Sequence, residues 1–247
     1  MSPSIKRISP GCSTFCTTLD NDSVSCAVPC LDNLLIDPVM AKRNIKDNEK
    51  EFTIVAGING AGKSTFIEWY TSDENSLGRV VDADKLAREH GSLIARGRKA
   101  LEEIDFCIEN GISFCQETTL SGNQIIRTIK KAKAHGYRVE IIYLGLDTVE
   151  EHIARVAKRV SEGGHDIPED VIRRRFASRF ECLCRILPLC DGGTLGRFED
   201  SFDFVALYFG DKLMDWNFND RKWIKEFYPY YIEHEGEMWD SPYINKY

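Results

Sequence analysis

The residue types with the clearest chemistry form one short stretch, Gly57-Ile58-Asn59-Gly60-Ala61-Gly62-Lys63-Ser64-Thr65. It fits the pattern G-x-x-x-x-G-K-[ST], in which glycines let backbone N–H groups converge on an anion because no Cβ opposes a positive φ. Lys63 is expected to reach the β- and γ-phosphates of a nucleoside triphosphate, and the Ser64 hydroxyl to bind Mg²⁺. The residues expected to contact the nucleotide are Gly57, Asn59, Gly60, Ala61, Gly62, Lys63, Ser64 and Thr65.

The flanking sequence supplies the elements that such a loop needs. The apolar run of residues 52–56 predicts a strand before the loop, and a helix is expected to start near Lys63. That helix would add its positive dipole end to the anion site. The guanine-specifying pattern Asn-Lys-x-Asp is absent from the sequence, so we expect ATP.

Carboxylates follow two further predicted strands, and they are candidates for the acceptor side of a phosphoryl transfer. Asp82 and Asp84 follow residues 78–81, and Glu117 follows residues 112–115. Asp84 is the candidate base for an acceptor hydroxyl, with a helix N-cap as the alternative. Asp82 either binds Mg²⁺ through water or ends the strand. Glu117 suits hydrogen bonding to substrate hydroxyls, with strand-end capping as the alternative.

Cationic residues flank a Gly163-Gly164 turn and have the arrangement of a mobile lid over triphosphate. They are Arg159, Arg173, Arg174 and Arg175, and Arg174 is assigned to the nucleotide site. A solvated helix face is the alternative for each of them. His165, in the same turn, either donates to phosphate or is a surface histidine.

The elements that must position these groups alternate between strand and helix. Predicted strands cover residues 52–56, 78–81, 112–115, 137–146 and 202–208. Helices are predicted at residues 63–70, 86–110 and 148–160; one more helix ends at His135, and another runs through residues 173–175. Such alternation predicts an α/β fold, a P-loop kinase-like doubly wound parallel sheet with helices on both faces. Ligands of these sheets bind beyond the carboxyl ends of the strands, where the groups above converge.

Composition narrows the class of protein. The 247 residues fit one α/β domain with appendages, and a hydrophobic content of 43% supports a sizeable core. A net charge of −7 argues against nucleic acid as the main partner, without excluding a local basic groove. No apolar run has transmembrane length and the N-terminus has no signal-peptide core, so we expect a cytoplasmic protein without a membrane partner. Reduced core cysteines are expected at Cys107, Cys115, Cys182, Cys184 and Cys190.

Two segments differ from the predicted kinase-like domain of residues 48–247. Residues 1–47 form a polar extension, and Met40 is an alternative start. The segment contains two C-x-x-x-C pairs, Cys12 with Cys16 and Cys26 with Cys30. Zinc sites more often use C-x-x-C, so this spacing favours a partly ordered tail over a metal site. This extension is either disordered or a regulatory segment that restrains the enzyme in cis. The aromatic-rich tail after Trp216 is expected to pack on the core, with a partner interface as the alternative.

Four blocks occur in a fixed order: the loop at residues 57–65, then Val81-Asp82-Ala83-Asp84, then Glu117-Thr118-Thr119-Leu120-Ser121-Gly122, then the arginine-rich residues 155–176 with Gly163-Gly164-His165-Asp166-Ile167-Pro168. Together they resemble the zeta toxin family, in particular its short zeta-like members, over about residues 50–180. The resemblance implies an ATP-dependent kinase of UDP-N-acetylglucosamine that acts on the sugar 3′-hydroxyl. It also implies a toxin that a small helical antitoxin holds inactive by blocking the nucleotide site.

The resemblance also implies roles for individual residues. Lys63 and Ser64 would hold phosphate and Mg²⁺, with Asp84 as the base. Glu117 and Thr119 would face the sugar nucleotide, and Arg159 would contact phosphate.

Two departures from the family pattern leave alternatives open. Ser121 stands where longer members have an arginine, so another nucleotide-bearing acceptor, such as a dinucleotide, remains an alternative. Longer members also have a second phosphate-binding arginine close to the position of His165, so either His165 or the cluster of residues 173–175 completes the lid here. An ATP-binding interaction protein without phosphoryl transfer is the alternative from another class.

Overall fold

The computed structural model describes residues 49–72, 77–81, 93–209, 212–215 and 221–239. Within them lies a seven-stranded sheet, whose strands in chain order are β1 (Glu51–Ala56), β2 (Arg79–Val81), β3 (Phe114–Thr118), β4 (Arg138–Leu144), β5 (Gly192–Phe198), β6 (Phe202–Phe209) and β7 (Lys212–Asp215). Their spatial order is β2-β3-β1-β4-β5-β6-β7. The first five strands pair in parallel, and β6 and β7 are antiparallel additions.

Helices connect the parallel strands: α1 (Lys63–Ser72), α2 (Leu93–Asn110), α3 (Gln124–Ala134), α4 (Val149–Ser161), α5 (Glu169–Ala177), α6 (Arg179–Ile186) and, after β7, α7 (Lys222–Trp239). A 3-10 turn, Leu187–Leu189, follows α6. Local sequence sets several of these bounds. Thr148 caps α4 by accepting the Glu151 N–H at 3.2 Å, and the chain leaves α3 through Gly136 at φ +77°. In the part of the chain that the structure describes, no helix has the length and apolarity needed to cross a membrane.

The core has two apolar clusters, one on each face of the sheet. Phe52 and Ile54 of β1 lie in one cluster, while Val55, the next residue along the strand, lies in the other. This alternation follows from the two-residue period of a strand. Helix α1 packs on the Val55 face through Phe66 and Tyr70, and helices α2, α3, α6 and α7 pack on the other. The predicted fold class, with helices on both faces, is therefore confirmed.

Strand β5 was not predicted, because its sequence Gly-Gly-Thr-Leu-Gly has little strand propensity. It nevertheless pairs in parallel with β4, from Glu140 opposite Gly192 to Leu144 opposite Gly196. Its glycines make room for the neighbouring strand. A Cβ on Gly193 would lie 2.4 Å from Ile141 Cγ2 and 2.8 Å from the Ile141 carbonyl oxygen. The absent side chains are thus a condition of the pairing, and the last predicted strand, 202–208, is β6 rather than the end of the parallel sheet.

The C-terminal helix α7 packs on the core, as predicted for the aromatic tail. Trp223, Phe227 and Tyr231 are buried. The Trp223 ring covers Gly145, where a Cβ would lie 2.5 Å from its Cε2 atom. The backbone N–H of Trp223 donates to the Asp147 carboxylate at 2.9 Å, and this bond joins the helix to the segment after β4.

The cysteines of the described ranges behave as core residues, as the sequence predicts. All five are free thiols, four of them buried and Cys182 half-buried. Burial raises the pKa of the Cys184 thiol to about 12, so it is unreactive at neutral pH. Residues 1–47, with their four cysteines, lie outside the described residues, and so does the predicted boundary at residue 48.

We expect Gly193→Ala to lower the free energy of unfolding by about 3 kcal/mol, since the new methyl group must displace the β4 backbone. Gly136→Ala is the matched control: it meets no atom within 4 Å but is held at φ +77°, so only backbone strain of about 1 kcal/mol should follow. Urea unfolding measures both values. Equal losses would contradict the close approach of β4 and β5.

Candidate active site

The phosphate loop connects β1 to α1, and its glycines are required by both conformation and space. Gly57 has φ +147°, and a Cβ there would lie 2.4 Å from the Leu144 carbonyl oxygen. Gly60 has φ +79°, and its Cβ would lie 2.6 Å from the His152 carbonyl oxygen. The loop is therefore pressed between the end of β4 and the first turn of α4, in a conformation that other residues rarely adopt.

The two loop side chains with predicted roles meet one carboxylate. Ser64 Oγ donates to Glu117 Oε2 at 2.9 Å, and Lys63 Nζ lies 3.6 Å from Glu117 Oε1. Lys63 also donates to the Ile58 carbonyl at 3.3 Å and is only 6% exposed. A buried ammonium requires such partners because desolvation disfavours its charge. Glu117 therefore contacts both of the side chains that the sequence predicts to engage phosphate and a metal ion.

The topology brings Glu117 to the loop. Strand β3 lies beside β1, with Val55 opposite Glu117 and Ala56 opposite Thr118. The expected strand 112–115 was wrong at both ends: β3 starts at Phe114 and continues through Thr118, so Glu117 lies within a strand. Its side chain emerges on the face that carries α1, next to Ser64.

Thr119 lies in the turn that follows β3. Its hydroxyl is 2.7 Å from that of Ser121; Thr119 is half-buried and Ser121 is exposed. Between them Leu120 is buried at φ +57°, and its N–H donates to Thr118 Oγ1 at 3.0 Å. A non-glycine residue in the left-handed region is uncommon, and here the buried leucine side chain anchors it. The turn thus presents two adjacent hydroxyls beyond the same strand as Glu117.

Sequence reasoning missed His152, which contacts the loop from α4. Its Nδ1 lies 2.8 Å from the Asn59 carbonyl oxygen, and the side chain is 1% exposed. Burial lowers the pKa of His152 to about 4, with nearby Lys63 and Arg155 adding to the effect, so the ring is neutral at physiological pH. A lone histidine in an amphipathic helix carries no sequence signal that separates this contact from ordinary packing.

Arg155, one turn further along α4, was also missed. It donates to the Phe198 carbonyl at 3.0 Å and pairs with Glu199 at 3.0 Å. Burial lowers its pKa, although the guanidinium stays charged. A Cβ on Gly62 would lie 3.8 Å from Arg155 Nη1, so this cation lies beside the phosphate loop.

The predicted lid residues lie on α4, α5 and the turn between them. Arg159 donates to the His165 carbonyl at 2.6 Å, so these two candidates meet through the backbone of the turn. Arg174 is 71% exposed and lies 4.0 Å from Asp170. Of the three clustered arginines, Arg175 reaches the loop, where it donates to Asn59 Oδ1. The phosphate contacts of Arg159, His165 and Arg174 stay predictions.

Asp82 and Asp84 lie outside the described residues. The last described residue before them, Val81, pairs with Gln116, the neighbour of Glu117. Among the described residues no group of three or more metal-ligating side chains occurs.

The loop between β1 and α1, the parallel order β2-β3-β1-β4-β5 and the polar groups at the carboxyl ends define a P-loop kinase-like protein. Comparison with known proteins gives the family. The sequence model of the family described as Zeta toxin matches residues 94–187. An uncharacterised protein of Haemophilus influenzae is 34% identical over 143 residues, 56% of this chain and 100% of that relative. The chain belongs to the zeta toxin family.

Solved structures show the same fold. A structure of the PezAT chromosomal toxin–antitoxin system of Streptococcus pneumoniae has a TM-score of 0.52 at 15% identity and covers 76% of this chain and 87% of that one. A structure of AvrRxo1-ORF1:-ORF2 with ATP has a TM-score of 0.51 at 16% identity and covers 74% of this chain. The match spans 64% of that second structure's chain, slightly less than two thirds.

We expect Glu117→Gln to tighten ATP binding about fivefold, the equivalent of about 1 kcal/mol. The neutral amide no longer competes with phosphate for Lys63 or repels the incoming negative charge. Calorimetric titration with ATP and Mg²⁺ measures the affinity. Glu109→Gln, the same charge change at a 66% exposed position beside Lys131, is the matched control and should leave it unchanged. Weaker binding by Glu117→Gln would instead assign the carboxylate to holding the nucleotide or its metal ion.

Proposed function

We propose that this protein is an ATP-dependent kinase that phosphorylates a sugar hydroxyl of a nucleotide sugar, the 3′-hydroxyl of UDP-N-acetylglucosamine, and acts as the toxin of a toxin–antitoxin pair. The observation that carries the proposal is the contact of Glu117 with Lys63 and Ser64. Glu117 is predicted to bind the acceptor substrate. It makes a hydrogen bond to Ser64 and an ion pair with Lys63, the two side chains predicted to hold the nucleotide and its metal ion.

The nucleotide side of the proposed reaction depends on charge and orientation. Lys63 would neutralise charge on the transferring phosphoryl group, and the loop amides would hold the phosphate oxygens. The fit to Mg²⁺ rests on the exposed Ser64 hydroxyl at the start of α1, with a carboxylate oxygen 2.9 Å away, since oxygen ligands suit this ion. When bound, Mg²⁺ would supply electrostatic neutralisation of the phosphates.

The acceptor side rests on residues beyond β2 and β3. Asp84 would accept the proton of the attacking hydroxyl, while Glu117 and Thr119 would orient the sugar nucleotide. Once Lys63 and Ser64 engage the nucleotide, Glu117 loses both partners and its oxygens become available to acceptor hydroxyls. Arg159, His165 and Arg174 would close over the phosphates and exclude water from the transfer.

The proposed partner is an antitoxin protein that covers the nucleotide crevice. The support is family membership, together with a fold shared with the PezAT toxin–antitoxin system and the AvrRxo1-ORF1:AvrRxo1-ORF2 pair. A restraint in cis by residues 1–47 is the alternative. Expression of a chain that starts at Met40 separates the two, because stronger growth arrest than with the full chain is expected only if the extension restrains the enzyme.

Transfer of γ-labelled phosphate from ATP tests the function. The purified protein is incubated with Mg²⁺ and either UDP-N-acetylglucosamine or a dinucleotide such as NAD, and products are identified by mass spectrometry. A phosphate ester on the sugar supports the proposal, and an ester on the dinucleotide replaces the acceptor. ATP binding without any ester, also in a bacterial metabolite extract, favours the interaction protein.

We expect Asp84→Asn to lower the rate of phosphoryl transfer about 10²- to 10⁴-fold while ATP affinity changes little, because the amide keeps the shape of the side chain but cannot accept the proton. Single-turnover kinetics and calorimetry measure the two effects separately. Loss of folding stability with an unchanged rate would favour the helix-cap role of Asp84.

We expect Arg159→Lys to lower kcat with little change in the KM for the acceptor. Lysine keeps the charge but loses the planar fork that grips two phosphate oxygens. Steady-state kinetics at saturating ATP provide the comparison. An unchanged kcat would move the phosphate contact to the cluster at residues 173–175.

A further inference from the structure

Asn59, in the middle of the phosphate loop, is held through both of its oxygens. Its backbone carbonyl accepts from His152 Nδ1 of α4 at 2.8 Å, and its side-chain Oδ1 accepts from Arg175 of α5. The two helices that carry the predicted lid residues are therefore bonded directly to one residue of the loop. No part of the proposed phosphoryl transfer uses His152, although it is the most deeply buried titratable side chain beside the loop.

The chemistry of the contact fixes the state of the histidine. A backbone carbonyl can only accept, so Nδ1 carries the proton and donates it to Asn59. The ring is 1% exposed and packs in an edge-to-face arrangement against Phe176 of α5, with ring centroids 5.8 Å apart and an interplanar angle of 68°. Phe176 is in turn covered by the Arg179 guanidinium, 3.6 Å from its centroid. The buried imidazole is thus packed against Phe176 while its Nδ1 contacts the loop.

The geometry points to His152 as a positioning residue that sets the direction of the Gly60 N–H. The Asn59 carbonyl and the Gly60 N–H belong to one planar trans peptide, so they point in opposite directions. Because His152 holds the carbonyl toward α4, the N–H is directed away from α4, where it can meet a phosphate oxygen. The donor is thus fixed before the nucleotide arrives, and binding does not have to order it.

The fit of the next residue supports this role. A Cβ on Gly60 would lie 2.6 Å from the His152 carbonyl oxygen, so the backbone of α4 also touches the loop at the peptide that its side chain orients. His152 of α4 therefore contacts the phosphate loop through both its main-chain carbonyl and its side chain. Rotation of the Asn59–Gly60 peptide would break the hydrogen bond between His152 and Asn59 and leave the Nδ1 donor of His152, a side chain that is 1% exposed, without its acceptor.

The inference rests on the proposed nucleotide site and deepens it, and three substitutions test it. His152→Phe keeps a ring but removes the donor, and His152→Asn keeps an N–H near the position of Nδ1. Val156→Ala, at a buried position on the same helix with no polar side-chain atom, is the control for loss of packing. For each, the dissociation constant for ATP is measured by calorimetry and folding stability by urea unfolding.

We expect His152→Phe to weaken ATP binding about tenfold, and His152→Asn to restore it to within about threefold. Val156→Ala should lose stability but keep its ATP affinity. In kinetics, the Phe variant should show a raised KM for ATP with a smaller change in kcat. In ¹⁵N-labelled protein, the Gly60 amide should shift in His152→Phe and return toward the wild-type position in His152→Asn.

Two results would overturn the inference. One is an ATP affinity of His152→Phe equal to that of the wild type. The other is a loss that follows folding stability across all three variants, which would make His152 a packing residue only. If the wild-type protein itself binds no ATP, the nucleotide site fails, and that outcome is distinct from a failure of the histidine to position it.

Discussion

Lys63 is a cation buried at the base of the phosphate loop, and the arrangement around it depends on what neutralises it. Glu117 of β3 lies 3.6 Å from Lys63 Nζ, and the same carboxylate accepts from Ser64. A nucleoside triphosphate would bring stronger and more numerous anionic oxygens to the same two side chains. Exchange of one anion for another would therefore couple nucleotide binding to the release of Glu117. Coupling of this kind is reciprocal, so an acceptor that binds Glu117 would also favour ATP.

The order of the strands brings Glu117 next to the phosphate loop. Strand β1 lies between β3 and β4, which puts the loop between Glu117 on one side and the Leu144 carbonyl on the other. Helix α4 closes the loop from a third direction through His152. Glycine is needed wherever these approaches are closest, at Gly57 and Gly60 against neighbouring carbonyls and at Gly193 against Ile141. These close backbone contacts fix the shape of the loop, and apolar packing on both faces of the sheet holds the strands in place.

Much of this arrangement follows from local sequence signals. The phosphate loop, the start of α1 at Lys63, the alternation of strand and helix and the family were all predicted, because glycine spacing and apolar runs are strong local signals. Strand β5 was missed because its glycines are required by the close approach of β4, and this contact is evident only in the folded sheet. The end of β3 was misplaced because Glu-Thr-Thr resembles a loop, whereas pairing with β1 extends the strand through it. His152 and Arg175 gave no signal for Asn59, because their contacts span 93 and 116 residues of chain.

The central claim is that nucleotide phosphate and Glu117 compete for Lys63 and Ser64. A crystal structure with Mg²⁺ and a non-hydrolysable ATP analogue tests it most directly. We expect Lys63 Nζ within hydrogen-bonding distance of the β- and γ-phosphate oxygens, Ser64 Oγ on the metal ion, and both separated from Glu117, whose oxygens face the acceptor side. An analogue bound in the loop while Lys63 and Ser64 keep their contacts with Glu117 would contradict the account.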